Sequence, residues 1–152
     1  MLAYRLPREP STPRITLWRK LRRLGAVQLV DGLVALPADR KTLEAFDWLA
    51  DEVVEAGGEA WTWRCQPGSK FQEQALRERM TAAVVEEYRT LLAAAKAARP
   101  APPRRTLERL QRELHKIEVR DHFAPKEHEQ AKRAIERLAS SVDTAEAQGA
   151  WR

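Results

Sequence analysis

Five cationic side chains fall within ten residues: Arg14, Arg19, Lys20, Arg22 and Arg23. Thr16, Arg19, Lys20 and Arg23 stand at i, i+3, i+4 and i+7, so on a helix they share one face, with Arg14 and Arg22 flanking it. No Asp or Glu occurs from Pro10 to Val30, so this stretch supplies no acid of its own to offset them. Like charges at these spacings oppose helix formation by about 0.2–0.5 kcal/mol per pair. Three chemistries fit the pattern. The cations could neutralise the phosphates of a nucleic-acid backbone, a contact that reads no bases. The guanidinium groups could hold a small tetrahedral oxyanion by bidentate hydrogen bonds. Or the run is the solvated face of an ordinary helix.

The other reactive side chains form no recognised constellation. His115, His122 and His128 are seven and six residues apart, unlike the i, i+3 or i, i+4 pair of a helical metal site. Asp121 beside His122 reads as a turn or cap residue. Glu44, Asp47, Asp51, Glu52 and Glu55 read as one solvated acidic face, and no acid is tied to a Ser, Cys or His in a nucleophilic pattern. There is no Gly-rich phosphate loop. The expectation is a protein that is not an enzyme, with no catalytic residue, metal or cofactor. The single cysteine, Cys65, has no partner for a disulfide or a CxxC site and is expected as a buried strand residue.

The elements that must position the basic run follow from punctuation. "LAYRLP" alternates and ends at a proline, as a short strand does. "PSTPRITLWRKLRRLGA" offers Ser11 or Thr12 as a cap, Pro13 in the first turn, an apolar stripe at Ile15, Trp18, Leu21 and Leu24, and Gly25 as a stop. "VQLVDGLVALP" is two apolar runs joined by Asp31-Gly32, the signature of a tight hairpin. Asp39 can cap a second helix bearing Leu43, Phe46, Leu49, Ala50 and Val53, which closes at Gly57-Gly58. "EAWTWRC" alternates, with Trp61, Trp63 and Cys65 on one face of a half-buried strand. Trp48 lies off the apolar stripe of its helix and is a candidate interface residue; most of the other tryptophans are expected in the core. Strand, helix, hairpin, helix, strand is the split βαβ, or ferredoxin-like, plan.

Beyond it the sequence is helical. Leu76, Met80, Val84, Leu91 and Ala95 mark a long helix that ends in the proline-rich "AARPAPPRR". Leu107, Leu110, Leu114 and Ile117 are answered after "RDHFAP" by Ala131, Ile135, Leu138 and Val142. These suggest an antiparallel helical hairpin that packs on itself and the long helix, or grips a partner. The expected organisation is a ferredoxin-like α+β domain at 1–68, a long helix at 69–98, a hinge at 99–106, a helical hairpin at 107–142 and a flexible tail at 143–152, where Trp151 is available to dock.

The chain has 152 residues, 43% hydrophobic and 32% charged, enough for one compact domain with an appendage. Its net charge of +5 is segregated: +6 over residues 1–23, −5 over 24–69, +1 over 70–98 and +3 over 99–152. Such a field can steer a polyanion. No run is apolar enough to span a bilayer and no secretory segment precedes Pro13, so a cytoplasmic location without membrane contact is expected.

The stretch "YRLPREPSTPRITLWRKLRRLGAVQLVDGLVALP", with "WLADEVVEAGGEA" and "EEYRTLL", resembles the N-terminal region of the ChrB family of chromate-resistance proteins over residues 2–140 or so. The resemblance implies a DNA-binding regulator that represses a chromate-efflux operon until chromate relieves it. More distantly the sequence is similar to the middle domain of phenylacetate-type repressors and to the small subunit of the CRISPR adaptation complex. These imply a ferredoxin-like fold and a homodimer formed through the sheet. Nuclease relatives carry a metal-binding aspartate at the end of the first strand, where this chain has Leu6 and Pro7, which argues against a metal-dependent phosphodiesterase. Longer family members add a domain with a Cys-containing motif, so a stand-alone N-terminal protein or one half of a split pair is expected. On this basis Arg14, Arg19, Lys20, Arg22 and Arg23 are the candidate DNA or oxyanion contacts. The alternative is a non-enzymatic module that joins a separate chromate-resistance protein through the helical hairpin.

Overall fold

The alternating N-terminal segment forms β1 (Leu2–Arg5), and the proline-led amphipathic run forms α1 (Thr12–Arg23). Gly25, at φ +72°, ends that turn. The Asp31-Gly32 turn joins β2 (Val27–Val30) to β3 (Leu33–Ala35); α2 (Arg40–Glu55) and β4 (Glu59–Thr62) complete the N-terminal half. The computed structural model describes residues 1–149 and separates into two units, Met1–Met80 and the residues from Thr81 onward.

In the first unit the four strands lie in the order β2-β3-β1-β4, and every neighbouring pair is antiparallel. That is the order of two interleaved split βαβ units, as the punctuation predicts. Both helices cover one face. Leu2 and Val34 from the sheet pack with Leu17 and Leu21 of α1 and Phe46, Leu49 and Val53 of α2. Fully burying such a side chain is worth about 1.5–3 kcal/mol, so this layer holds the unit together. A capping box starts α2: Asp39 Oδ1 accepts from the Thr42 backbone N–H at 2.8 Å, and the Asp39 N–H donates to Thr42 Oγ1 at 3.2 Å. Caps of this kind stabilise by about 1 kcal/mol.

The apolar stripe of α1 differs from the sequence expectation. Leu17 and Leu21 are buried, with Leu24 against them, whereas Ile15 is 48% and Trp18 50% exposed. The helix carries two apolar stripes, and the one bearing three leucines faces the sheet. The aromatic residues of β4 also differ. Ala60 faces the helices, so Trp61 turns to the uncovered side of the sheet, 66% exposed, and Trp63 is 56% exposed. Because helices cover only one face, alternation places these residues at a surface rather than in a core. Strand β4 ends at Thr62, and Cys65, expected to be buried, is exposed beyond it.

The second unit is built from α3 (Lys70–Ala97), inside which the division between units falls, α4 (Arg104–Glu118) and α5 (Lys126–Gly149). Val84, Tyr88, Leu91 and Ala95 repeat at alternating three- and four-residue intervals and pack with Leu107, Leu110 and Ile117 of α4 and Ala131, Ala134, Ile135 and Val142 of α5. The helical hairpin thus spends its apolar stripe on the long helix. Proline 103 stops the linker, and α4 begins at Arg104. Residues 143–149, read from the sequence as flexible tail, continue α5: they are rich in good helix formers, and Arg104 Nη1 holds Glu146 at 2.8 Å. Trp151 lies outside the described residues.

Candidate nucleic-acid interface

Helix α1 places its five cations in four different settings. Arg14 turns back toward the β1–α1 loop, where its Nη2 donates to the Arg8 carbonyl at 2.5 Å and the Pro7 carbonyl at 3.4 Å. Lys20 reaches across to α2, and its Nζ lies 2.6 Å from each carboxylate oxygen of Glu52. Arg22 lies over Trp18, with the guanidinium carbon 4.9 Å from the ring centroid. Arg19 and Arg23 are exposed and ion-pair with no acid among the described residues. A cation over an indole is attracted by the negative face of the ring, which holds Arg22 at the α1 surface.

The sequence placed Lys20 on the same outward face as Arg19 and Arg23. The structure brings Arg19 and Arg23 together there and draws Lys20 toward α2. The missed residue is Glu52, which spacing assigned to a solvated acidic face. The only signal for it was the opposite sign of the two helices, and pairing needs their tertiary arrangement. Both partners are about two-fifths exposed, so the bridge is worth roughly 0–1 kcal/mol and acts mainly to orient Lys20.

Beside this surface lies an open cleft of about 710 Å³, walled by Tyr4, Leu6, Ile15 and Trp18, with Arg14 and Asp31 on its lining. Burial first, and then the Asp31 carboxylate, push the Tyr4 hydroxyl above its ordinary pKa, so it stays neutral. The half-exposed Ile15 and Trp18, the second apolar stripe of α1, both line this cleft.

The histidines are scattered. His115 is exposed on α4, His122 lies in the α4–α5 loop, and His128 Nε2 is 3.0 Å from Glu118 Oε1. Among the described residues no group of three or more His, Cys, Asp or Glu is placed to hold a metal, and no helix is long and apolar enough to cross a membrane. Trp48 is 72% exposed on α2.

The resemblance motif "EEYRTLL" has a structural role in the second unit. Glu87 pairs with Arg120, the Tyr88 hydroxyl donates to Asp121 Oδ2 at 2.9 Å, and Arg89 donates to Glu86 at 2.6 Å and Glu127 at 3.1 Å. All four residues from Glu86 to Arg89 thus engage the α4–α5 region or one another.

Searches of curated proteins and of solved structures return no match. The family model described as protein ChrB, N-terminal, matches residues 14–99, more than half of the chain, and takes in all five cations of α1, the hairpin, α2 and the Glu86–Arg89 cluster. The chain therefore belongs to the ChrB family, matching its N-terminal region.

Proposed function

We propose that the protein is a DNA-binding transcriptional regulator of chromate resistance, with Arg19, Arg22 and Arg23 of α1 contacting the phosphate backbone and chromate relieving its repression. The observation that carries this reading is the pair Arg19 and Arg23: exposed, uncompensated by any described acid, and adjacent to the Arg22 guanidinium held over the Trp18 ring. Family membership supports the link to chromate. Lys20 and Arg14 serve the same surface indirectly, since each is held by a protein partner.

Binding to the promoter fragment of a chromate-resistance operon, followed across salt concentrations, tests it. Changing Arg19, Arg22 and Arg23 together to Gln should weaken binding and flatten the slope of log K against log salt by about 0.9 per lost contact. Added chromate should release wild-type protein where equal sulfate does not. Unchanged affinity and slope in the triple variant would remove α1 from the interface, and release by sulfate alike would remove chromate specificity.

The uncovered sheet face favours a companion reading. Trp61 and Trp63 stand exposed beside Ala3 and Leu33 on the side away from both helices, and we propose that a second copy covers them in a homodimer. Sedimentation should give twice the 17.4 kDa chain mass for wild type and a shift to monomer when both tryptophans become Ser. A wild-type monomer would rule the dimer out.

A further inference from the structure

Helix α4 carries a charge pattern that lies outside the residues the family model matches. Arg105, Arg109, Arg112 and Lys116 stand at i, i+4, i+7 and i+11. At 100° per residue they fall within an arc of about 60°, along a line of about 16 Å. All four are exposed. They lie roughly opposite Leu107, Leu110 and Ile117, which are buried against α3 and α5.

Acids do occur on this helix, but of the four aligned cations they pair with Lys116 alone. Glu108 is 4.0 Å from Arg104, Glu113 is 2.8 Å from Lys116, and Glu118 contacts His128. Arg105, Arg109 and Arg112 make no ion pair with any described residue. The Glu113 carboxyl is held below the usual carboxylate range by Lys116 first and also by Arg109 and Arg112, as a positive field along the ridge requires. Three like charges at i, i+4 and i+7 oppose the helix by a few tenths of a kcal/mol per pair, and the apolar face would fold equally well without them.

We infer that the Arg105/Arg109/Arg112 ridge of α4 is a second phosphate-contacting surface, taking the backbone of duplex DNA independently of α1. A straight cationic line of this length suits a rod that presents one negative charge per roughly 1.7 Å of axis. The ridge carries charge without a base-reading pattern, so it adds affinity on any sequence. The choice of DNA as the polyanion rests on the reading of the protein as a DNA-binding regulator; the ridge itself does not depend on α1.

The full chain, the R105Q/R109Q/R112Q variant and the R19Q/R22Q/R23Q variant should be titrated onto a labelled synthetic duplex of arbitrary sequence at several salt concentrations. The α4 variant is expected to bind more weakly at low salt, with the log K against log salt slope reduced by about 2.7 for three lost contacts. Its thermal unfolding should be unchanged or slightly later, because only exposed repulsion is removed; this separates lost binding from lost fold. If only the α1 variant changes the slope, the ridge is overturned while the proposed function stands. If only the α4 variant does so, the ridge stands and α1 is displaced from the interface. Absence of binding by wild type would overturn both.

Discussion

Replacing Gly32 with alanine is expected to destabilise the first unit by about 3–5 kcal/mol, near the upper end for a single substitution. Gly32 sits at φ +73°, where a side chain costs about 1–2 kcal/mol. A Cβ there would also press into the Tyr4 carbonyl oxygen. Neither partner can retreat easily. The Tyr4 N–H donates to the Gly32 carbonyl at 2.7 Å, and β1 is held between β3 and β4 with Leu2 fully buried beneath it. Gly57 is the control: its φ is +76°, but nothing lies within 4 Å of its would-be Cβ, so Gly57→Ala should cost only the conformational share. Denaturant unfolding followed by tryptophan fluorescence reports this unit through Trp18, Trp48, Trp61 and Trp63. Equal losses in the two variants would show that the close approach to Tyr4 does not constrain the turn.

That turn shows what local chemistry makes legible. Asp31-Gly32 announces its hairpin because positive φ is a property of one residue, and Asp39 announces α2 because its cap reaches only to Thr42. Each is a short-range rule, and together they lead to the βαββαβ order and so to the sheet. What periodicity could not decide was which of two apolar stripes on α1 meets the sheet. Leu17/Leu21/Leu24 and Ile15/Trp18 are both acceptable to a helix, and only the shape of the opposing layer selects the first. The same limit explains Trp61 and Trp63. Alternation identifies two faces, but it does not say that helices cover one of them alone.

The basic run was visible in full, while its division of labour was not. Lys20 and Arg19 are neighbours in sequence and equivalent in charge, yet one faces α2 and meets Glu52 while the other faces solvent. Net charge along the chain registers the sum of such side chains and misses their pairing. On α4 the sum hides a surface rather than a pairing. A surplus of only +3 over residues 99–152 conceals the ridge, because Glu108, Glu113 and Glu118 cancel it in the count while standing off its line. Helical angle has to be combined with charge before such a surface emerges.

The second large effect is expected at Asp121. Its Oδ2 accepts from the Tyr88 hydroxyl at 2.9 Å, and its Oδ1 accepts from the backbone N–H groups of Phe123 and Ala124, each at 3.0 Å. One carboxylate therefore satisfies a fully buried tyrosine and shapes a loop in which Ala124 takes φ +43°. Burial first, then the Asp121 hydrogen bond, push the Tyr88 hydroxyl far above its ordinary pKa, so it remains a neutral donor at any working pH. Asp121→Ala should cost the second unit about 2–4 kcal/mol, because the buried hydroxyl and two loop amides lose their acceptor together. Asp121→Asn keeps one carbonyl oxygen and should lose less. Tyr88→Phe should be milder still, and in the Asp121→Ala background it should recover part of the loss by removing the orphaned hydroxyl. Denaturant unfolding of the four proteins, with exchange rates of the Phe123 and Ala124 amides, measures both contributions. Failure of Tyr88→Phe to recover stability would place the whole effect in the loop. The outcome bears on binding as well, since this loop follows α4 and the motif residues Glu87 and Tyr88 grip it from α3: loosening the loop should weaken DNA binding through α4 without removing a single cation.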